Sequence, residues 1–154
     1  MGVIAKSESK SDLIFTAGSF WPEIRVKDFK AKGRVPTMVD DEAALYLLER
    51  AFVYFLDDVG TYEADQTKKG IKTLLEVESP IVGTRTKQVI HFESALFAQA
   101  KKLICDDYKD IDLARRAGED KIKEIIASEN TWSADYLKSV RSFLGKERDY
   151  VGLV

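Results

Sequence analysis

The sequence predicts an all-α protein: a small antiparallel helical bundle of three long helices plus short ones, with an extended N-terminal arm and an extended C-terminal tail. Three observations predict it. Residues 40–68, DDEAALYLLERAFVYFLDDVGTYEADQTK, hold no proline and keep a helical apolar rhythm throughout. Residues 84–110 and 119–144 carry the same rhythm. No strand-rich region and no internal repeat lies between them. At about 1.5 Å per residue a helix over 40–68 would reach roughly 40 Å, longer than a compact domain of this size is wide, so other helices must pack along it.

The elements follow in order. Residues 1–19 mix serine, lysine and small residues with brief apolar content at Leu13, Ile14 and Phe15, and read as a flexible or extended arm. Phe20 and Trp21 precede Pro22, which suits a turn or the first position of a helix. EIRVKDFKAKGRVP then reads as a short helix, with Ile24, Val26 and Phe29 available to pack and Gly33 and Pro36 to end it. The long helix starts at an Asp40 or Asp41 N-cap, and Leu45, Leu48, Phe52, Phe55, Leu56 and Val59 form its apolar stripe. Gly60 interrupts it at a cost of around 1 kcal/mol relative to alanine, which points to a bend or a close helix contact, and Gly70 closes it. IKTLLEV leads into the turn region ESPIVG. The helix over 84–110 shows Val89, Phe92, Leu96 and Leu103 on one face, widened by Ile90, Phe97 and Ile104, so burial on more than one side is expected. The last helix runs through Ile122, Ile125, Trp132, Tyr136 and Val140, with a kink or split expected between Asn130 and Ser133, and Gly145 stops it. The domain organisation is therefore an arm at 1–19, a helical bundle domain at 20–145 and a tail at 146–154.

Composition bounds the function. The 154 residues are enough for one domain that buries roughly 70% of its unfolded surface. The chain is 45% hydrophobic and 32% charged, with a mean hydropathy of −0.23. No run approaches the roughly 20 apolar residues of a membrane span, and the start MGVIAKSESKSD lacks the basic-then-apolar order of a secretory signal. A cytoplasmic protein with no membrane partner is expected. The single cysteine, Cys105, cannot form an internal disulfide and reads as a reduced core thiol. The formal net charge of −2 argues against a general nucleic-acid binder, although Arg25, Lys27, Lys30, Lys32 and Arg34 face only Asp28 within one short strip. That strip could meet phosphate or an acidic neighbour, or simply be a solvated helix face.

Catalytic chemistry finds no support. His91 is the only histidine, and His91-x-Glu93 lacks the paired cysteines that accompany HxE in zinc deaminases. A lone histidine also excludes di-iron bundle sites and HExxH proteases, and no GxSxG, P-loop or GxGxxG occurs. The pairs Asp40-Asp41, Asp57-Asp58 and Asp106-Asp107 diverge by about 100° on a helix, as surface charges do. No catalytic residue, cofactor or metal is assigned. A generous aromatic complement and two apolar chain ends favour an interaction protein. Two other classes remain: a cytoplasmic adaptor or regulatory bundle binding a partner helix, and an enzyme with carboxylates converging from different helices.

The order of these features resembles the phage head completion proteins of GPL type, from contractile-tailed temperate phages. An arm leads to aromatic-Pro-acid-Ile, here Phe20-Trp21-Pro22-Glu23-Ile24, then to a basic helix and a long helix closing at Gly70. Ile71, Leu74 and Val77 give the following I-x-x-L-x-x-V segment, VIHFESALFAQAKKL the aromatic helix, and YVGLV the short apolar end. The resemblance implies a structural virion protein that completes DNA-filled capsids at the portal vertex as a head-tail connector. Its partners would be the portal protein, tail-side completion proteins and copies of itself in a ring of about twelve, with incidental contact to packaged DNA. Its location would be the host cytoplasm during assembly and then the virion. On this reading Tyr150, Val151, Leu153 and Val154 dock on the portal or a partner, Phe20 and Trp21 pack the arm, and Lys27, Lys30 and Arg34 serve as lumen or inter-subunit charges.

Overall fold

Two-residue strands open the fold of the computed structural model, which describes residues 12–110 and 128–146. β1 (Ile14–Phe15) pairs antiparallel with β2 (Ile24–Arg25), Ile14 facing Arg25 and Phe15 facing Ile24. Alternation turns Phe15 and Ile24 into the core and leaves Ile14 and Arg25 outside. Phe15 meets the edge of Phe52 with ring centroids 5.4 Å apart, so the end of the expected arm is seated on the core. A second pair, β3 (Ile81–Val82) with β4 (Arg85–Thr86), closes over a turn in which Gly83 takes φ +69°. The chain is thus mostly helical but not strictly all-α, a correction to the expected class. Pairs this short carry no readable period-2 pattern, which is why the sequence does not announce them.

The helices follow their caps. α1 spans Val26–Lys32 and α2 spans Asp41–Val59. The Asp40 carboxylate accepts the Ala43 N–H at 2.8 Å, and Asp41 and Glu42 occupy the first turn, where the helix dipole favours negative charge. α2 stops at Gly60, whose φ of +60° ends helical geometry, and the chain restarts as α3 (Tyr62–Lys68). The single helix expected over 40–68 is therefore two, because only glycine enters that backbone region at little cost. A 3-10 turn at Leu74–Glu76 follows, held by the Leu74 N–H donating to the Phe20 carbonyl at 2.9 Å. α4 (Lys87–Asp110) begins after β4 rather than at residue 84, and α5 (Glu129–Phe143) is continuous through Asn130 and Ser133. Expectations for residues 1–11, 111–127 and 147–154 lie outside the described residues.

α4 is the shared wall of the core. Val89, Phe92, Leu96 and Leu103 are buried, and so are Ala95, Ala98 and Ala100, as expected for a helix packed on two sides. On one side Phe92 meets Phe55 of α2 at 5.4 Å and Trp21 at 5.3 Å. α5 packs along α4 as well, and its Phe143 joins the same ring cluster, 5.2 Å from Phe55 and 6.0 Å from Trp21. α4 and α5 are tied at both ends: the Gln88 amide donates to the Phe143 carbonyl at 2.7 Å, and Lys109 pairs with Glu129. The two helices consequently run antiparallel. Leu56, counted in the apolar stripe of α2 by its spacing, instead sits on the outer face.

One polar tie crosses from α5 to α2. The Tyr136 hydroxyl donates to the Asp58 carboxylate, and burial together with that bond holds the phenol protonated far above its usual range. Tyr136→Phe should lower stability by about 1.5 kcal/mol, the low end for a hydrogen bond to a charged group because Asp58 is itself exposed. Urea denaturation of the two proteins checks this, and an unchanged midpoint would refute the tie.

Candidate functional site

The basic strip does not fold into one charged face. Lys30 donates to Asp41 at 2.9 Å and Lys32 lies 3.8 Å from Glu93, while Arg25 and Lys27 stay exposed. Arg34 lies beyond the end of α1, in an unusual conformation. The Gly33 N–H bonds the Phe29 carbonyl, Arg34 N–H the Ala31 carbonyl and Val35 N–H the Lys30 carbonyl. This is a Schellman ending, in which the residue after the cap is left-handed. Gly33 has ordinary helical φ (−80°), and Arg34 carries φ +49°. The expectation that Gly33 and Pro36 end this helix is therefore refined: Gly33 supplies space and Arg34 makes the left-handed turn.

Beside Arg34 a groove of about 680 Å³ runs between the end of α1, α4 from His91 to Lys101, and α5 from Trp132 to Ser142. Lys32, Arg34, Lys101 and Lys138 bring four cations to its lining against the single acid Asp135, while Phe97 and Trp132 give it an apolar floor. Lys101 spans the groove: its ammonium donates to the carbonyls of Gly33 (2.6 Å) and Arg34 (3.1 Å) and sits 4.8 Å from the centre of the Trp132 ring. Burial lowers its pKa, and the neighbouring Arg34 adds to that.

His91 lines the same groove, and its Nε2 is buried without a hydrogen-bond partner among the described residues. Burial, and secondarily the charge of Lys87, lowers its pKa below the ordinary 6.5. The unfolded chain therefore binds this proton at a higher pH than the folded one, so stability is full above about 6.5 and falls as pH drops through the interval below it. Because the chain has no other histidine, His91→Asn should flatten the change in Tm between pH 7.5 and pH 5.5. An equal slope in both proteins would contradict this assignment.

The other candidate groups have structural work. Asp40 caps α2, Asp41 pairs with Lys30, Asp106 with Lys102 and Asp107 with Arg50. Cys105 is buried with its sulfur 3.8 Å from Ser128 Oγ, and burial raises the thiol's pKa, which keeps it protonated. Among the described residues no group of three or more His, Cys, Asp or Glu could hold a metal, and no helix is long and apolar enough to cross a membrane. Phe20 and Trp21 are buried, Trp21 stacked on Phe92 with its indole N–H donating to Glu63 at 3.2 Å. Tyr150, Val151, Leu153 and Val154 lie outside the described residues. Sequence reasoning missed Lys101, Trp132 and Lys138, which reach Arg34 only through tertiary packing and leave no local signal.

The described residues form a small, mostly helical protein with a basic groove on its surface. The chain belongs to the phage head completion protein (GPL) family, whose model matches residues 15–154, and its role is accordingly structural and in capsid assembly. It is similar to the probable head completion/stabilization protein of Haemophilus phage HP1 (strain HP1c1), with 20% identity over 149 residues and 97% of each chain covered. No solved structure matches the chain significantly.

Proposed function

We infer that this protein completes and stabilises DNA-filled phage capsids at the portal vertex, as one subunit of a head-tail connector ring. The observation that carries the reading is the family match across nearly the whole chain, from residue 15 to residue 154. The described surface is compatible with it: a basic groove, an exposed apolar hairpin at Ile81 and Val82, and polar groups already engaged in structural contacts. The role needs no bond-making chemistry. It needs several modest contacts repeated around a ring, where each bound neighbour raises the effective concentration of the next. The portal protein and tail-side completion proteins are the partners this role calls for, with Tyr150, Val151, Leu153 and Val154 as the docking segment and Lys27, Lys30 and Arg34 as charges toward the lumen or a neighbour.

The test is binding to DNA-filled, tail-less heads, comparing the full chain with one truncated after Arg148. Saturable binding at the portal vertex that the truncation abolishes is the expected result. If the full chain does not bind intact heads, the connector reading fails. Binding by both forms would instead refute the role given to the C-terminal residues.

A further inference from the structure

The groove beside Arg34 has a counterpart on the same molecule. Along α2, Glu42, Tyr46, Glu49, Val53 and Leu56 recur at alternating steps of four and three, the heptad spacing of a helix seam, and Asp57 extends the row. At about 100° per residue these positions fall on one side of the helix, opposite Ala44, Leu48, Ala51 and Phe55 in the core. The seam faces outward: Tyr46 is 60% exposed and Val53 58%. Its carboxylates Glu42, Glu49 and Asp57 alternate with apolar side chains, and the one cation beside them, Arg50, lies over the Tyr46 ring and is paired with Asp107 at 3.2 Å. The groove offers the opposite pattern, with cations over an aromatic floor.

Arg34 supplies a second, independent observation. α3 and α5 end in the same hydrogen-bond motif as α1, with the left-handed position held by Gly70 (φ +85°) and Gly145 (φ +72°). Of these three helices α1 alone places a long cationic side chain there, in a backbone region that glycine enters at little cost and other residues rarely adopt. A guanidinium thus stands at the groove's edge in the position that Gly70 and Gly145 hold at the ends of α3 and α5.

We propose that the acidic outer seam of α2 in one copy docks in the basic groove between α1, α4 and α5 of the next. The proposal deepens the connector reading and rests on it, naming the surfaces by which copies of this chain would meet. The seam and the groove share no residue, so the contact is head-to-tail, leaves a free seam and a free groove at the ends, and closes into a ring when its rotation permits. The groove runs about three helical turns, or roughly 15 Å, along α4 and α5, a length that accommodates Tyr46, Glu49 and Val53 of a helix laid along it. Opposed charges set the register, and burial of Tyr46 and Val53 against Phe97 and Trp132 supplies the apolar contact.

The test uses the full chain and two variants changed only at exposed positions. One carries Arg34→Glu and Lys138→Glu in the groove, the other Tyr46→Ser and Val53→Ser on the seam, so that the acidic seam of either form is repelled by the altered groove. Sedimentation velocity at low ionic strength should show wild-type protein associating with rising concentration, and each variant alone at least tenfold weaker. An equimolar mixture of the two should form a dimer and nothing larger, since it holds one intact seam and one intact groove per pair. Wild-type protein that stays monomeric throughout, variants that associate like wild type, or a mixture that does not pair would each overturn the proposal. A monomeric wild type whose binding to duplex DNA is lost in the groove variant would assign the groove to phosphate instead. Head binding is scored separately: heads bound without self-association sinks the interface alone, and self-association without head binding sinks the connector reading alone.

Discussion

Phe92→Ala should remove about 3–5 kcal/mol of stability, out of the roughly 5–15 kcal/mol that holds a domain of this kind together. Phe92 has no exposed surface and lies where three parts of the chain converge. Its ring stacks on Trp21 at 5.3 Å, meets Phe55 edge-on at 5.4 Å and approaches Phe52 at 6.3 Å. Truncation would therefore lose the transfer energy of a whole phenyl group and leave a cavity whose walls are rings that cannot bend to fill it. The expected fall in Tm is on the order of 10 °C for a chain of this length. Phe97→Ala, at a partly buried aromatic five residues further along α4, should cost markedly less. Equal losses at the two sites, read from urea denaturation, would show that the cluster around Phe92 is not the centre of the core.

The second large effect concerns two neighbouring residues with opposite signs. Gly33→Ala should destabilise the protein by about 1–3 kcal/mol, because a methyl group there would stand 2.7 Å from the Phe29 carbonyl oxygen and 3.3 Å from its ring. The obstacle is backbone, and that same oxygen accepts the Gly33 N–H, so little can move aside. Arg34→Gly should instead stabilise by up to about 1 kcal/mol, since the left-handed strain of Arg34 is relieved while glycine's greater freedom in the unfolded chain offsets part of the gain. Thermal melts of the two single variants check both signs. A stabilised Arg34→Gly protein that associates poorly would separate what this residue does for binding from what it does for folding.

Much of the fold is legible in the sequence, and its failures have physical reasons. The start of α2 is legible because Asp40, Asp41 and Glu42 suit the positive end of a helix dipole whatever surrounds them. Its end is less so: Gly60 reads as a flaw within one helix, and only its positive φ turns that flaw into a break. The strand pairs were illegible because each strand has two residues, and their pairing depends on where Phe15 and Ile24 find the core. Leu56 shows the limit of periodicity, since it fits the apolar spacing yet faces outward beside Val53.

The candidate site was legible by halves. The cations from Arg25 to Arg34 stand out as a run in the chain, but folding disperses them and keeps only Lys32 and Arg34 at the groove. The other half arrives from far along the chain, as the bond from Lys101 to the Gly33 carbonyl 68 residues earlier shows. Nor does a sequence reveal that an arginine sits where glycine would be easier, because that judgement needs the backbone angle. The resemblance, in contrast, rested on the order of segments rather than on contacts, and the family match bears it out.

The measurement that bears most directly on the function is DNA retention by phage heads assembled without this protein. Heads lacking it should lose nuclease-resistant DNA and fail to accept tails, and purified full-length protein should restore both at saturating addition. Heads that hold their DNA and join tails equally well without it would contradict the account.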